Sequence, residues 1–254
     1  MSYNEIIFSP SGGTKRVATA IEGEHAENIT SYDLTDKRVK IKDIAFTADD
    51  ICYIAVPSFG GRVPEIAAKK IKIIKGNGAR AVLICAYGNR AYDDTMLELM
   101  DVAKEAGFVC VAGVCGVTEH SIARQFATGR PDAADMDVLE KFAEKVEKKL
   151  ESGDRSEPAV PGKRPYRVYN GSAIKPVAGP DICIGCGLCS EQCPVGAINM
   201  FDIAVTNKER CISCMKCVAV CPMGARVLPK DMVNAFATKA APLFAERKEP
   251  ELFI

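Results

Sequence analysis

The sequence predicts an α/β chain, a doubly wound parallel sheet followed by a second, smaller domain built on metal, and three observations predict it. Short apolar runs alternate with segments of helical periodicity from Asn4 to Leu150, the pattern of strands joined by crossover helices. A stretch rich in proline, glycine and charge then runs from Ser152 to Pro180, which reads as a linker. Beyond it one cysteine motif is written twice, Cys183, Cys186, Cys189 and Cys193 before Pro194, and Cys211, Cys214, Cys217 and Cys221 before Pro222.

The elements follow in order. Asn4 to Phe8 is a short strand that runs into Ser9, Pro10, Ser11, Gly12, Gly13 and Thr14, after which Val17, Ala18, Ala20 and Ile21 mark one face of a helix. Thr14 is the expected N-cap. Ile29 to Leu34 is a second strand, and Asp36 to Phe46 carries no helical pattern. Ile51 to Val56 is nearly all apolar, as a strand buried on both faces must be. Pro57, Ser58, Phe59, Gly60, Gly61 and Arg62 leave it, and a helix opens with Pro64 in its first position and closes at Gly76 to Gly78. Ala81 to Ala86 is the fourth strand, followed by Tyr87, Gly88, Asn89, Arg90, Ala91 and Tyr92, and by a helix with Met96, Leu97, Leu99, Met100 and Ala103 inward. Phe108 to Val114 is the fifth. A helix from about Asp135 to Leu150 puts Met136, Leu139, Phe142, Val146 and Leu150 on one stripe.

With 254 residues and 48% hydrophobic content the chain is long enough for two cores. Lysine plus arginine equals aspartate plus glutamate at 33 each, so no charge bias points to nucleic acid or an anionic membrane. No apolar run reaches the roughly 18 residues of a membrane span, and the first residues lack the basic and apolar build of a signal peptide; a cytoplasmic protein is expected. Cys52, Cys85, Cys110 and Cys115 fall in or beside strands, where cysteine serves as a small hydrophobe.

A doubly wound sheet binds its ligand beyond the carboxyl ends of its strands, where the strand order reverses. Three loops leave those ends: Ser9 to Thr14, Pro57 to Arg62, and Tyr87 to Tyr92. The first offers hydroxyls and backbone N–H groups to a helix N-terminus, which suits a phosphate. It is not a P-loop, because Thr14 separates Gly13 from Lys15; nor is there a G-x-G-x-x-G fingerprint. Glycine and serine occur at such turns in many domains, so this loop alone decides nothing. Together the three loops resemble those of the flavodoxin family, whose phosphate loop reads Thr/Ser-x-Thr/Ser-Gly-x-Thr and whose later loops clasp FMN. Ser9, Ser11, Gly12 and Thr14 match it, and Gly13 departs from the usual asparagine. Gly88 to Tyr92 is similar to the family's Gly-Asp-x-x-Tyr. The resemblance implies FMN held by Ser9, Ser11, Gly12, Gly13, Thr14, Pro57, Phe59, Gly60, Gly61, Tyr87, Gly88, Asn89 and Tyr92. Tyr92 takes the ring-stacking position, with Tyr87 as its substitute, and Phe59 the other face. The plain alternative is that the aromatics plug the end of the sheet.

In the second half each cysteine recurs 28 positions later, in the pattern C-x2-C-x2-C-x3-C-P. Three thiolates on one tight loop can wrap a corner of an iron–sulfur cube while the fourth leaves for elsewhere. Zinc sites usually show two separated C-x2-C pairs, and disulfides rarely persist in a reducing cytosol. A purely structural cluster stays open, although two clusters side by side suit the passage of single electrons. The motif resembles the bacterial two-cluster ferredoxin family, an α+β domain with crossed ligands. That resemblance implies one [4Fe–4S] cluster on Cys183, Cys186, Cys189 and Cys221 and another on Cys211, Cys214, Cys217 and Cys193.

Taken whole, the chain resembles a flavodoxin–ferredoxin fusion family of anaerobic bacteria and archaea. The expected divisions are a flavodoxin-like domain over 1–151, a linker over 152–176, a ferredoxin domain over 177–230 and a helical tail over 231–254. The linker is basic at Lys163, Arg164, Arg167 and Lys175 and is either solvated or a strap on an acidic face. The tail's stripe of Met232, Phe236, Ala240 and Phe244 should cover one domain or the joint. His120 reads as an exposed loop residue. The resemblance implies an electron carrier between redox protein partners in low-potential metabolism. Two other functions compete: a flavin-dependent reductase, for which Arg62, Arg90, Tyr87 and His120 are the local proton donors, and a redox sensor without turnover.

Overall fold

The computed structural model describes residues 2–179 and 181–254. Five parallel strands, β1 (Tyr3–Ile7), β2 (Thr30–Asp33), β3 (Ile51–Pro57), β4 (Arg80–Tyr87) and β5 (Val109–Val117), lie in the order β2-β1-β3-β4-β5. This is the flavodoxin-like order, with its switch point between β1 and β3. In-register pairs such as Ile6 with Ile54 and Ile54 with Leu83 fix the alignment.

Every residue of β4 and all but Pro57 of β3 are buried, because helices cover both faces. On one face Ile54 and Leu83 pack against Ile71 of α2 (Glu65–Ile71) and Met96 and Leu99 of α3 (Thr95–Glu105). On the other, Tyr53 and Val82 meet Val17 and Ile21 of α1 (Gly13–Glu22) and Leu139, Val146 and Leu150 of α4 (Ala133–Glu151). Asp132 caps α4 with a capping box: it accepts the N–H of Asp135, and the Asp135 carboxylate accepts that of Asp132. Cys52, Cys85, Cys110 and Cys115 are buried free thiols, and burial pushes Cys110 up to about 12.

The second domain is small. A two-stranded ribbon, β6 (Val177–Ala178) with β7 (Arg226–Val227), accompanies two short helices, α5 (Leu188–Glu191) and α6 (Lys216–Ala219). Its buried apolar cluster is Cys189, Ile198 and Cys217, too little to fold a domain without metal.

The helix after β3 is shorter than expected, with Pro64 as its N-cap and its end at Ile71, and the tail differs too. The tail forms α7 (Lys230–Phe244), as its stripe predicts, but then adds β8 (Glu251–Phe253), antiparallel to β5 and the sixth strand of the first sheet. The segment predicted as a helical tail thus ends inside the first domain; three residues are too few to show a strand period. The linker is a strap. Asp94 accepts the N–H groups of Lys163 at 2.9 Å and Arg167 at 2.7 Å. Asp101 accepts Arg164 and the Tyr166 hydroxyl, Asp93 accepts Arg167, and the Arg62 guanidinium lies 5.0 Å over the Tyr166 ring. No helix among the described residues is long and apolar enough to cross a membrane.

Candidate metal and cofactor sites

The cysteine loops are bent by left-handed residues that repeat with the motif. Gly185 and Gly187 have φ of 71° and 75°, and Ser213 and Met215, 28 positions on, have 55° and 64°. For serine and methionine this conformation costs about 1–2 kcal/mol, and the Ser213 hydroxyl donates to the Ile174 carbonyl at 2.8 Å. The loops turn their thiols inward in two sets. Cys183, Cys186, Cys189 and Cys221 line one cavity, and Cys193, Cys211, Cys214 and Cys217 the other. Each proline-linked cysteine therefore faces the other motif's loop. Its sulfur also accepts a backbone N–H at 3.2 Å, from Ala197 at Cys193 and from Ala225 at Cys221. Four sulfurs around each apolar cavity suit an inorganic core. The sets differ in exposure: Cys214 and Cys193 are buried, whereas Cys186 is exposed.

The three loops at the carboxyl edge of the sheet also meet. A cavity of about 60 Å³ is lined by Ser11, Gly13, Thr14, Pro57, Phe59 and Gly88, among others. Gly12, at φ 91°, is the N-cap of α1, and Thr14 lies buried inside the helix; the expected Thr14 cap is thus displaced two residues, because Gly12 reaches a conformation threonine disfavours. Ser9 Oγ accepts the N–H of Lys15 at 2.9 Å, and a Cβ on Gly13 would lie 3.2 Å from that of Thr118. The Lys15 ammonium turns away to Glu5 at 2.7 Å and Glu22 at 3.3 Å, leaving hydroxyls and N–H groups as the loop's donors.

Beside it lies a cavity of about 500 Å³. Gly60, Gly61, Tyr87 and Gly88 come from the predicted loops, Tyr169 and Gly171 to Ile174 from the strap, and Met232, Phe236, Ala240 and Phe244 from α7. Two predicted residues are elsewhere engaged. Tyr92 is buried in the core, its ring 5.1 Å from that of Tyr87 and edge-on to it, and burial first, then the neighbouring Cys115 and Glu251, raise its pKa; it does not line the cavity. Asn89 is buried at φ 68°, donating to the carbonyls of Phe244 (3.0 Å) and Glu246 (2.9 Å) and accepting from Arg130 and the Lys248 N–H at 3.0 Å each. It holds the tail. Phe59 pairs with Arg62 across the turn and faces the small cavity. His120, read as exposed, lies among Phe126, Phe236 and Phe244, with centroids at 6.2, 5.8 and 5.4 Å; desolvation lowers its pKa to about 4. Sequence reasoning missed Tyr169, whose signal was the aromatic pair Tyr166 and Tyr169 in a segment otherwise composed as a linker.

Residues 182–225 match the family described as a 4Fe-4S dicluster domain. The second domain is an iron–sulfur domain. Among curated proteins none matches the chain. Similar solved structures include a flavodoxin of Streptococcus pneumonia TIGR4, at 18% identity and TM-score 0.41, covering 58% of this chain and 99% of that one. A Fusobacterium nucleatum flavodoxin solved with flavin mononucleotide has 14% identity and TM-score 0.41 over 59% and 99%. Two-electron reduced Megasphaera elsdenii flavodoxin has 16% identity and TM-score 0.36 over 56% and 98%. The assignment of the first domain rests on its strand order.

Proposed function

We propose that the chain is an electron-transfer protein that holds FMN at the carboxyl edge of the first sheet and two [4Fe–4S] clusters in the crossed cysteine sets. Such cofactors would supply exchange between two-electron and one-electron transfer; the protein supplies orientation and surroundings. Ser9, Ser11, Gly12, Gly13 and Thr14 would hold the phosphate at the positive end of α1. Pro57, Phe59, Gly60, Gly61, Tyr87 and Gly88 would frame the rest of the nucleotide.

The observation that carries the reading is the continuity between the two sites. Ile174 lines the 500 Å³ cavity, and its carbonyl accepts the hydroxyl of Ser213, which sits between Cys211 and Cys214. Lys175 reaches the Cys211 carbonyl. The set closed by Cys193 is therefore the nearer one, and the exposed Cys186 puts the other within reach of a redox protein partner. Of the donors named for the reductase alternative, Arg62 is paired with Glu98 and Arg90 with Asp93, while Tyr87, its pKa raised by burial, and His120, its pKa lowered by desolvation, line the cavity.

Protein purified anaerobically should contain iron and sulfide for two cubes and one FMN per chain. After rapid photoreduction of the flavin, cluster bleaching should proceed at a rate independent of protein concentration. A rate proportional to concentration would refute transfer within one chain.

A further inference from the structure

The cavity that would receive the flavin ring lacks the aromatic wall expected of Tyr92, and a different residue stands at its mouth. The strap is tied at both ends. On one side the Arg167 N–H donates to Asp94 at 2.7 Å and its carbonyl accepts Arg62 Nη1 at 2.8 Å; on the other, Ile174 and Lys175 are bound to the cysteine loop. Between these ties Val168 is 80% exposed, Tyr169, 38% exposed, lines the cavity, and Gly171, at φ 82°, bends the chain along it.

Tyr169 lies directly on Gly60. A Cβ at Gly60 would come within 2.3 and 2.5 Å of Tyr169 Cδ2 and Cε2, and Gly60 has φ 59°. The β3 loop thus presents bare backbone to this ring, and glycine is required there both by conformation and by approach. The ring borders the 500 Å³ cavity and also the cleft beside Phe59 and Tyr166. It stands as a partition between them.

We propose that Tyr169, carried on the strap between the domains, supplies the aromatic face against which the flavin ring packs, in place of Tyr92. The inference rests on the FMN reading above. A planar heteroaromatic ring gains from an aromatic neighbour beyond the area it buries, and the strap delivers that neighbour from the side on which the cysteine loops are tied. Ring binding and the seating of the strap then favour one another.

The test uses the full chain with its clusters intact and its flavin removed, titrated with FMN by equilibrium dialysis. Tyr169→Ala should weaken FMN binding about tenfold, Tyr169→Phe should stay within about twofold of the parent, and iron content should be unchanged in both. Tyr169→Trp separates packing from propping, since a more electron-rich ring against the flavin adds a long-wavelength charge-transfer shoulder to its absorption. Tyr92→Phe should leave that spectrum as it was. Parent-like affinity in Tyr169→Ala, or no spectral change in Tyr169→Trp, would overturn the assignment while leaving the FMN reading standing. Parent protein that takes up no FMN would overturn both.

Discussion

Asn89→Ala should undock the C-terminal half of α7 from the cofactor cavity. The side chain, 5% exposed, makes three bonds to the tail, to the carbonyls of Phe244 and Glu246 and from the Lys248 N–H. At about 1 kcal/mol each, their loss amounts to roughly 3 kcal/mol. Arg247 ties the same segment to Asp132, where both side chains are over 40% exposed and the pair contributes about 0.2–1 kcal/mol, and to the buried Asp135 at 3.1 Å. These ties are the same in the variant, so the change in exchange reads the Asn89 bonds alone. Amide hydrogen exchange reads the change directly: with a tenfold factor for each 1.4 kcal/mol, amides at the end of α7 should exchange on the order of 100 times faster. Amides of α4 report on the global fold and should hold their rates. Exchange in α7 within about threefold of the parent would refute the latch.

Three further outcomes are expected. Cys193→Ser should disturb the spectroscopic signal of a cluster held by Cys211, Cys214 and Cys217, and Cys221→Ser that of the other; loss confined to the mutated cysteine's own motif would show the ligands uncrossed. The Glu22 carboxyl is raised to about 8, by burial first and by Glu5 second. The folded state thus holds a proton that the unfolded chain releases near the ordinary carboxylate value of 4.5. Stability is full below that value and lost as pH rises through about 8, so Glu22→Gln should raise the thermal midpoint at alkaline pH by about 5 °C or more and do nothing in acid. Equal pH slopes in the two proteins would refute this. His120 is depressed to about 4 by desolvation, so it lends stability above its ordinary 6.5 that is lost as pH falls toward 4. Its ring proton resonances should not titrate between about pH 5 and 8; a midpoint near 6.5 would place the ring in water.

What the sequence made legible was local. The β3 run Ile51 to Val56 announces burial on both faces by composition alone, and the cysteine spacing fixes which thiols share a loop. Even the left-handed positions repeat at the motif's own interval, so Ser213 and Met215 could be placed from Gly185 and Gly187. What failed depends on partners far along the chain. Tyr92 lies in the core with Tyr87 and Cys115, the latter from a strand more than twenty residues on. Asn89 stands where the resembled pattern has Asp, and its amide answers to Phe244 and Glu246. His120 reads as a loop residue until Phe236 and Phe244 arrive from α7. Tyr169 looks like linker because the partners that hold the strap beside it at Arg167, Asp94 and Arg62, are on other elements.

These distant contacts share one location, and this bears on how the two domains act. The chain enters the iron–sulfur domain through the strap and leaves it through α7, and both crossings line the same 500 Å³ cavity. The strap is pinned at Asp94 and at Ser213; α7 is pinned at Asn89 and continued by β8 into the first sheet. A small domain that swings free needs an unbound linker on at least one side. Here each crossing carries polar ties at its ends, and releasing α7 would uncover the buried Phe244. A swinging carrier would expose that apolar surface at every cycle, at about 25 cal/mol for each Å². The arrangement instead favours a second domain held in place, with the cavity lined by the same two segments that join the domains. A partner protein would then exchange electrons at the exposed Cys186 side.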